Sequence, residues 1–235
     1  ADVKFKEIEN KSEIKTLLEQ IKNNGQFTGR AVIAGKDVLT NDLVGFVVVV
    51  GTEGFFIKNN LLADFLPIFS DEKIELVGHD LKQLIKVLCL QKIEIKNSLF
   101  DVMIGSYLLN PGSRAHDIAS VVLKVLGKEL KVGSGQENLF GVDFRAIAQE
   151  LYLLSQTVDS LKKDLEKTDD LGLFKKMEMP LTLVLAQMEL NGIAVDLEML
   201  QKLSIEVNER IKKVSKKIFD LAGMEVQPSG SIYEP

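Results

Sequence analysis

Apolar positions change their rhythm twice along this chain. Near the start, Ile14, Leu17, Leu18 and Ile21 recur at helical spacing, and Asn23-Asn24-Gly25 supplies a stop, so a helix is expected over 12–21. Three β-rich runs follow, Gly29 to Ala34, Leu43 to Val50 and Gly54 to Ile57. Turn residues part them at Thr40-Asn41-Asp42 and Gly51-Thr52-Glu53-Gly54, which predicts an antiparallel meander. Val47 to Val50 is apolar without a break, the pattern of a strand covered on both faces.

From residue 60 helices and strands alternate. The pattern predicts helix over 61–69, strand over 74–77, helix over 81–90, strand character at 93–95 and 99–101, and a helix ending at Leu109 before Pro111-Gly112. Such alternation after an antiparallel start indicates an α/β layer fold with a mixed sheet. Beyond Asp117 only helices are expected, over 118–126, 144–165, 179–190 and 197–221. The glycine-rich stretch from Gly127 to Gly141 reads as a loop. The last helix is the clearest of all. Asp196 suits its N-cap and Gly223 its C-terminal stop, and Leu200, Leu203, Val207, Ile211, Val214, Ile218 and Leu221 form one stripe along it.

Composition narrows the chemistry. A single cysteine, Cys89, excludes an internal disulfide and any Cys-based structural zinc site. No run approaches the roughly 18 apolar residues of a spanning helix, and Ala1 to Glu7 lacks the layout of a signal peptide, so a cytoplasmic protein with no membrane partner is expected. The net charge of −5, from 29 basic and 34 acidic side chains, does not advertise a nucleic-acid binder. Asp101 and the His116-Asp117 pair read first as helix caps. His79-Asp80 with His116-Asp117 also suggests a metal phosphohydrolase, but such sites need more histidines than the two present.

Two stretches carry most of the functional information. The first holds Val77-Gly78-His79-Asp80-Leu81-Lys82-Gln83-Leu84, then Leu99 to Pro111 with its Phe100-Asp101 and Ser106-Tyr107-Leu108-Leu109-Asn110-Pro111, then His116-Asp117. The second holds Glu178-Met179-Pro180-Leu181 and Met188-Glu189-Leu190-Asn191-Gly192-Ile193-Ala194-Val195-Asp196. In this order they resemble bacterial family A DNA polymerases, over about Phe5 to Gly223.

The resemblance implies an RNase H-like (DnaQ-like exonuclease) mixed sheet flanked by helices over 1–172, followed by an all-α segment over 173–235 that opens the polymerase domain at the base of its thumb. It implies a fragment of a polymerase used in DNA replication and repair, with the residues of nucleotide addition, and the Mg²⁺ they need, outside this sequence. DNA and the remainder of the polymerase are the partners implied, for a chain expected to be a monomer.

In this family the exonuclease part takes two divalent cations on carboxylates from three motifs. Matched residue by residue, the first motif falls on Ala34 and Lys36, the second on Leu84, and the third on Gln149, with Ala148 an alternative and Glu150 one residue out of register. None of Ala34, Lys36, Leu84 and Gln149 is a carboxylate. The domain is therefore expected to be a degenerate exonuclease with no catalytic, metal or cofactor residues, whose role is structural. Two alternatives stand beside it: an active 3′–5′ exonuclease with ligands displaced to Asp37, Asp80 and Glu150, or a free-standing interaction module. Arg210, Lys213 and Lys217 on the last helix are candidates for weak DNA contacts. Residues 176–235 carry seven basic and nine acidic side chains, so even that segment should hold DNA weakly by itself.

Overall fold

The computed structural model describes residues 2–35, 38, 39, 42–130 and 142–223. They form two compact units, 1–191 and 192–235. In the first, β1 (Lys4–Ile8) leads into α1 (Lys11–Asn24), and β2 (Gln26–Ile33), β3 (Leu43–Val50) and β4 (Glu53–Lys58) follow. Two 3₁₀ segments, Asn59–Leu61 and Leu66–Ser70, flank the single-turn α2 (Leu62–Phe65). Next come β5 (Glu75–Gly78), α3 (Leu81–Leu90), β6 (Ser98–Asp101), α4 (Val102–Leu109), α5 (Ile118–Leu126), α6 (Phe144–Ser155), α7 (Val158–Lys167), the short α8 (Leu171–Leu173) and α9 (Met179–Asn191). The second unit holds α10 (Leu197–Ala222).

The six strands make one mixed sheet in the order β1-β4-β3-β2-β5-β6. β2, β3 and β4 form the antiparallel meander, while β1 pairs parallel with β4, and β5 and β6 extend the other side in parallel. Both faces are covered. Phe27 and Phe46 pack with Phe65 and Phe69 on one face, and Phe56, opposite Val47, stacks on Phe144 of α6 with ring centroids 3.6 Å apart on the other. Val47 to Val50, at most 9% exposed, run through the middle.

Local signals explain most boundaries. Asn10 caps α1 by accepting from Glu13 N–H, and Gly25, at φ 73°, ends it in a conformation that costs glycine little. Asp143 caps α6 through Ala146 N–H.

Three expectations change. The strand at Lys4–Ile8 was not foreseen, because its charged residues disguise an edge strand. Residues 93–95 are not a strand. The helix expected over 144–165 is two, α6 and α7, since Thr157 is fully buried with its hydroxyl donating to Leu154 C=O. The first compact unit runs on to Asn191, past residue 172.

That extension has a physical basis. α9 lies against α3, where Glu189 pairs with Lys82 at 2.7 Å and Lys86 at 2.9 Å. Just before α9, Phe174–Glu178 winds as a π-helical turn whose Phe174 is fully buried against Phe100. Pro180 has no N–H to continue a regular ladder, so the helix widens ahead of it.

α10 is a regular helix of 26 residues, capped by Asp196 through Met199 N–H at 2.9 Å and ended by Gly223 at φ 67°. Arg210, Lys213 and Lys217 are exposed and follow one another at helical spacing on one side of it.

Candidate nuclease-like site

Between β2 and α3 lies a cleft of about 290 Å³, walled by Arg30 and Ala31 on the strand and by His79, Asp80, Gln83 and Leu84 at the start of the helix. The parallel pairing of β2 with β5 sets these walls side by side, because α3 begins just past the end of β5.

The helix wall is built on one buried acid. Asp101 closes β6, is fully buried, and accepts from Leu81 N–H at 2.7 Å, Met103 N–H at 2.9 Å and Asp80 N–H at 3.3 Å. It therefore caps α4, as its sequence position suggested, and also grips the first turn of α3. Asp80 sits at φ 51°, a left-handed conformation uncommon for a residue with a side chain, and it is this turn that aims its N–H and that of Leu81 at one carboxylate. Burial pushes the Asp101 carboxyl above its usual range, against the pull of the amides and of His79.

A polar network continues outward. His79 Nε2 donates to His116 C=O at 2.7 Å. His116 in turn donates from Nε2 to Ser113 C=O and receives the Ser106 hydroxyl at Nδ1, both at 3.0 Å. Both histidines are thus engaged in holding the 110–117 turn against α3 and α4. Asp117 caps α5 through Ser120, whose hydrogen bonds hold its carboxyl below the usual range.

The strand wall is ionic. Arg30 Nη1 donates to Glu150 Oε2 of α6 at 3.0 Å, across 120 residues of sequence. Both groups are largely withdrawn from solvent, with 31% of the arginine and 13% of the glutamate side chain exposed.

The degenerate positions assigned from the sequence are thereby sorted. Leu84 lines the cleft. Ala34 does not: β2 ends at Ile33, and Ala34 N–H donates to Asp42 C=O in the following turn. The charged residue that the strand contributes to the cleft wall is Arg30, four positions earlier. Gln149 faces elsewhere, its side-chain carbonyl accepting from Val3 N–H at 2.9 Å, and its neighbour Glu150 reaches Arg30 instead. Lys36 and Asp37 lie outside the described residues. Sequence reasoning missed Arg30 because an arginine inside an apolar strand reads as an edge position, and its partner is remote in the chain.

A pair of hard cations would need several carboxylates converging on one point. Among the described residues, no three His, Cys, Asp or Glu side chains are so placed. Asp80 lines the cleft beside the apolar Leu84 and the Arg30 guanidinium, which Glu150 meets from α6, and Asp101 is committed to backbone amides. The donor set among the described residues does not fit a two-metal centre. Cys89 on α3 is half-buried, and burial raises its thiol above the usual value.

Comparison with known proteins bears on the fold and the family. The fold matches Escherichia coli RNase D, an exoribonuclease, at TM-score 0.69 over 79% of this chain and 51% of that one, with 15% identity. It matches Brucella melitensis NrnC at 0.66 over 81% and 94%, with 13% identity. The mixed sheet with its flanking helices is an RNase H-like fold.

Residues 32–141 match the family model described as DNA polymerase I, ribonuclease H-like domain. DNA polymerase I of Bacillus subtilis is 30% identical over 77% of this chain, and that of Streptococcus pneumoniae serotype 4 is 33% identical over 81%. The chain is homologous to bacterial DNA polymerase I over that stretch. It spans 22–23% of the length of those two relatives. A structure described as the POL domain of Pol1 from M. smegmatis, in complex with DNA primer-template and dNTP, superposes at TM-score 0.74 over 95% of this chain and 38% of its own, with 21% identity.

Proposed function

We propose that this chain is the exonuclease-like region of a DNA polymerase I, together with the first helices of its polymerase part, and that it hydrolyses no phosphodiester bonds. Its task is architectural: a rigid support on which the polymerase helices are seated. The observation that carries this reading is the cleft itself, where the Arg30–Glu150 ion pair and Leu84 stand in place of a ring of carboxylates. A guanidinium repels a dication, and an apolar side chain has no lone pair to give it.

Nucleotide addition, with its Mg²⁺, belongs in this reading to the rest of a polymerase working in the cytoplasm on DNA. The region contributes weak contacts at most, through Arg210, Lys213 and Lys217, and behaves by itself as a monomer.

The test is direct. Incubated with 5′-labelled single-stranded DNA and Mg²⁺ or Mn²⁺, the chain should leave the label at full length. Shortening that disappears in a Glu150→Ala variant would establish the opposite reading, an exonuclease with displaced ligands. Binding to the same DNA should be weak and vanish with added salt.

A further inference from the structure

We propose that the Arg30 guanidinium is a resident substitute for a divalent cation: it ties β2 to α6 through Glu150, so that the unit folds and holds its cleft without metal and turns metal away. The inference rests on the reading that the cleft is not a metal-dependent nuclease, and deepens it by saying what took the metal's place.

Glu150 is brought to the strand by α6, which packs across β2, β3, β4 and β5. A carboxylate pointing at the sheet with 13% of its side chain exposed needs a cation or several donors near it. A metal-dependent site meets that need with a dication shared among carboxylates from the strand and the helix. Here the strand itself supplies the positive charge, 3.0 Å from Glu150, on a side chain long enough to cross the gap. The guanidinium also suits the location better than an ammonium, being planar and less strongly hydrated. Arg30 and Glu150 compensate one another's charge, and the leucine at 84 offers no donor on the opposite wall.

The fold therefore retains a cross-link between the same two elements while changing its chemistry. Loss of Arg30 should behave like loss of a structural metal, and the metal should become useful again once carboxylates are restored.

The experiment uses the full chain, with Mn²⁺ as the probe, read by electron paramagnetic resonance and by thermal unfolding in EDTA and in Mn²⁺. The native chain should take up no Mn²⁺ in the cleft, and its Tm should be the same in both buffers. Arg30→Ala should lower Tm by about 3 °C in EDTA, with Arg30→Gln as a gentler variant should the first not fold. An Arg30→Asp/Leu84→Asp double variant should bind Mn²⁺ and melt several degrees higher in Mn²⁺ than in EDTA. A further Glu150→Gln change should abolish that gain.

A native chain stabilised by Mn²⁺ through Glu150, or Arg30 variants that melt like the native chain, would overturn the proposal. So would a folded double variant blind to Mn²⁺. Nuclease activity in the native chain would sink the underlying reading instead, whereas silent Arg30 variants in a chain without nuclease activity would sink this inference alone.

Discussion

Helix α3 is held by two carboxylates that work in opposite ways. Asp101 grips its first turn from inside the fold, with backbone amides as partners, and desolvation moves its carboxyl up. Glu189 grips its flank from the surface, with Lys82 and Lys86 as partners, and these draw its carboxyl down to about 2. The first grip depends on peptide N–H groups that every sequence carries. The second depends on side chains, and on salt. Comparing them shows which part of the molecule is fixed by the fold and which by particular residues.

The largest expected effect comes from removing the inner grip. Asp101→Ala leaves buried N–H groups at the starts of α3 and α4 without acceptors and should cost about 4 kcal/mol, measured by urea unfolding. Asp101→Asn keeps one acceptor oxygen and should cost about half as much. If the alanine variant lost less than about 1 kcal/mol, the amides would have found other partners, and the distinction between the two grips would fail.

Next is the corner that the inner grip holds shut. A Cβ at Gly78 would lie 2.4 Å from Leu81 Cδ2 and 3.1 Å from its Cγ. Gly78→Ala should therefore cost about 1–3 kcal/mol by pushing the first turn of α3 off the sheet. A neutral result would mean that Leu81 turns aside freely.

The outer grip should give a smaller and salt-dependent response. Glu189→Gln should speed amide hydrogen exchange in α9 while leaving the central strands protected, and the difference should shrink at about 1 M salt, where the Debye length is near 3 Å. Equal acceleration in β3 would show that α9 and the sheet open together.

Acid separates the two by sign. Because the folded state holds the Glu189 carboxyl down, the clasp contributes its stability above the ordinary carboxylate value near 4.5 and loses it as pH falls toward about 2. Asp101 is shifted up, so the folded state binds its proton more readily than the unfolded chain. Its contribution is greatest below the ordinary value of 3.8 and declines as pH rises through the folded-state value. Carboxyl carbon chemical shifts in a pH titration would follow each directly. Asp101 titrating below Glu189 would reverse the comparison.

Much of this fold is legible in the sequence, and where legibility fails the causes are physical. Leu43 to Val50 and the caps at Asp101, Asp117 and Asp196 are local signals, and each appears where its residues placed it. β1 hid because Lys4, Lys6 and Glu7 interrupt its apolar residues, as an edge strand permits. The α6–α7 break hid because apolar residues keep a helical period through Gln156-Thr157, and only tertiary burial of Thr157 parts them.

The site divides in the same way. Leu84 followed a motif with fixed landmarks on both sides and fell in the cleft. Ala34 falls past the end of β2 and outside the cleft lining, and a run such as Phe27 to Ala34 has no internal marker of register. The Arg30–Glu150 pair spans 120 residues, and nothing local in either segment announces the other.

The placement of β1 has a consequence for how the chain survives its own synthesis. β1 is made before the rest of this sheet, and its hydrogen-bond partner is β4, which follows about fifty residues later. Without β1, Glu53-Gly54-Phe55-Phe56-Ile57 would present an unpaired apolar rim to any neighbouring molecule. Lys4, Lys6 and Glu7 then finish the sheet with a charged selvedge that a second chain cannot easily extend, so trimming residues 2–8 should turn a well-behaved domain into one that clumps.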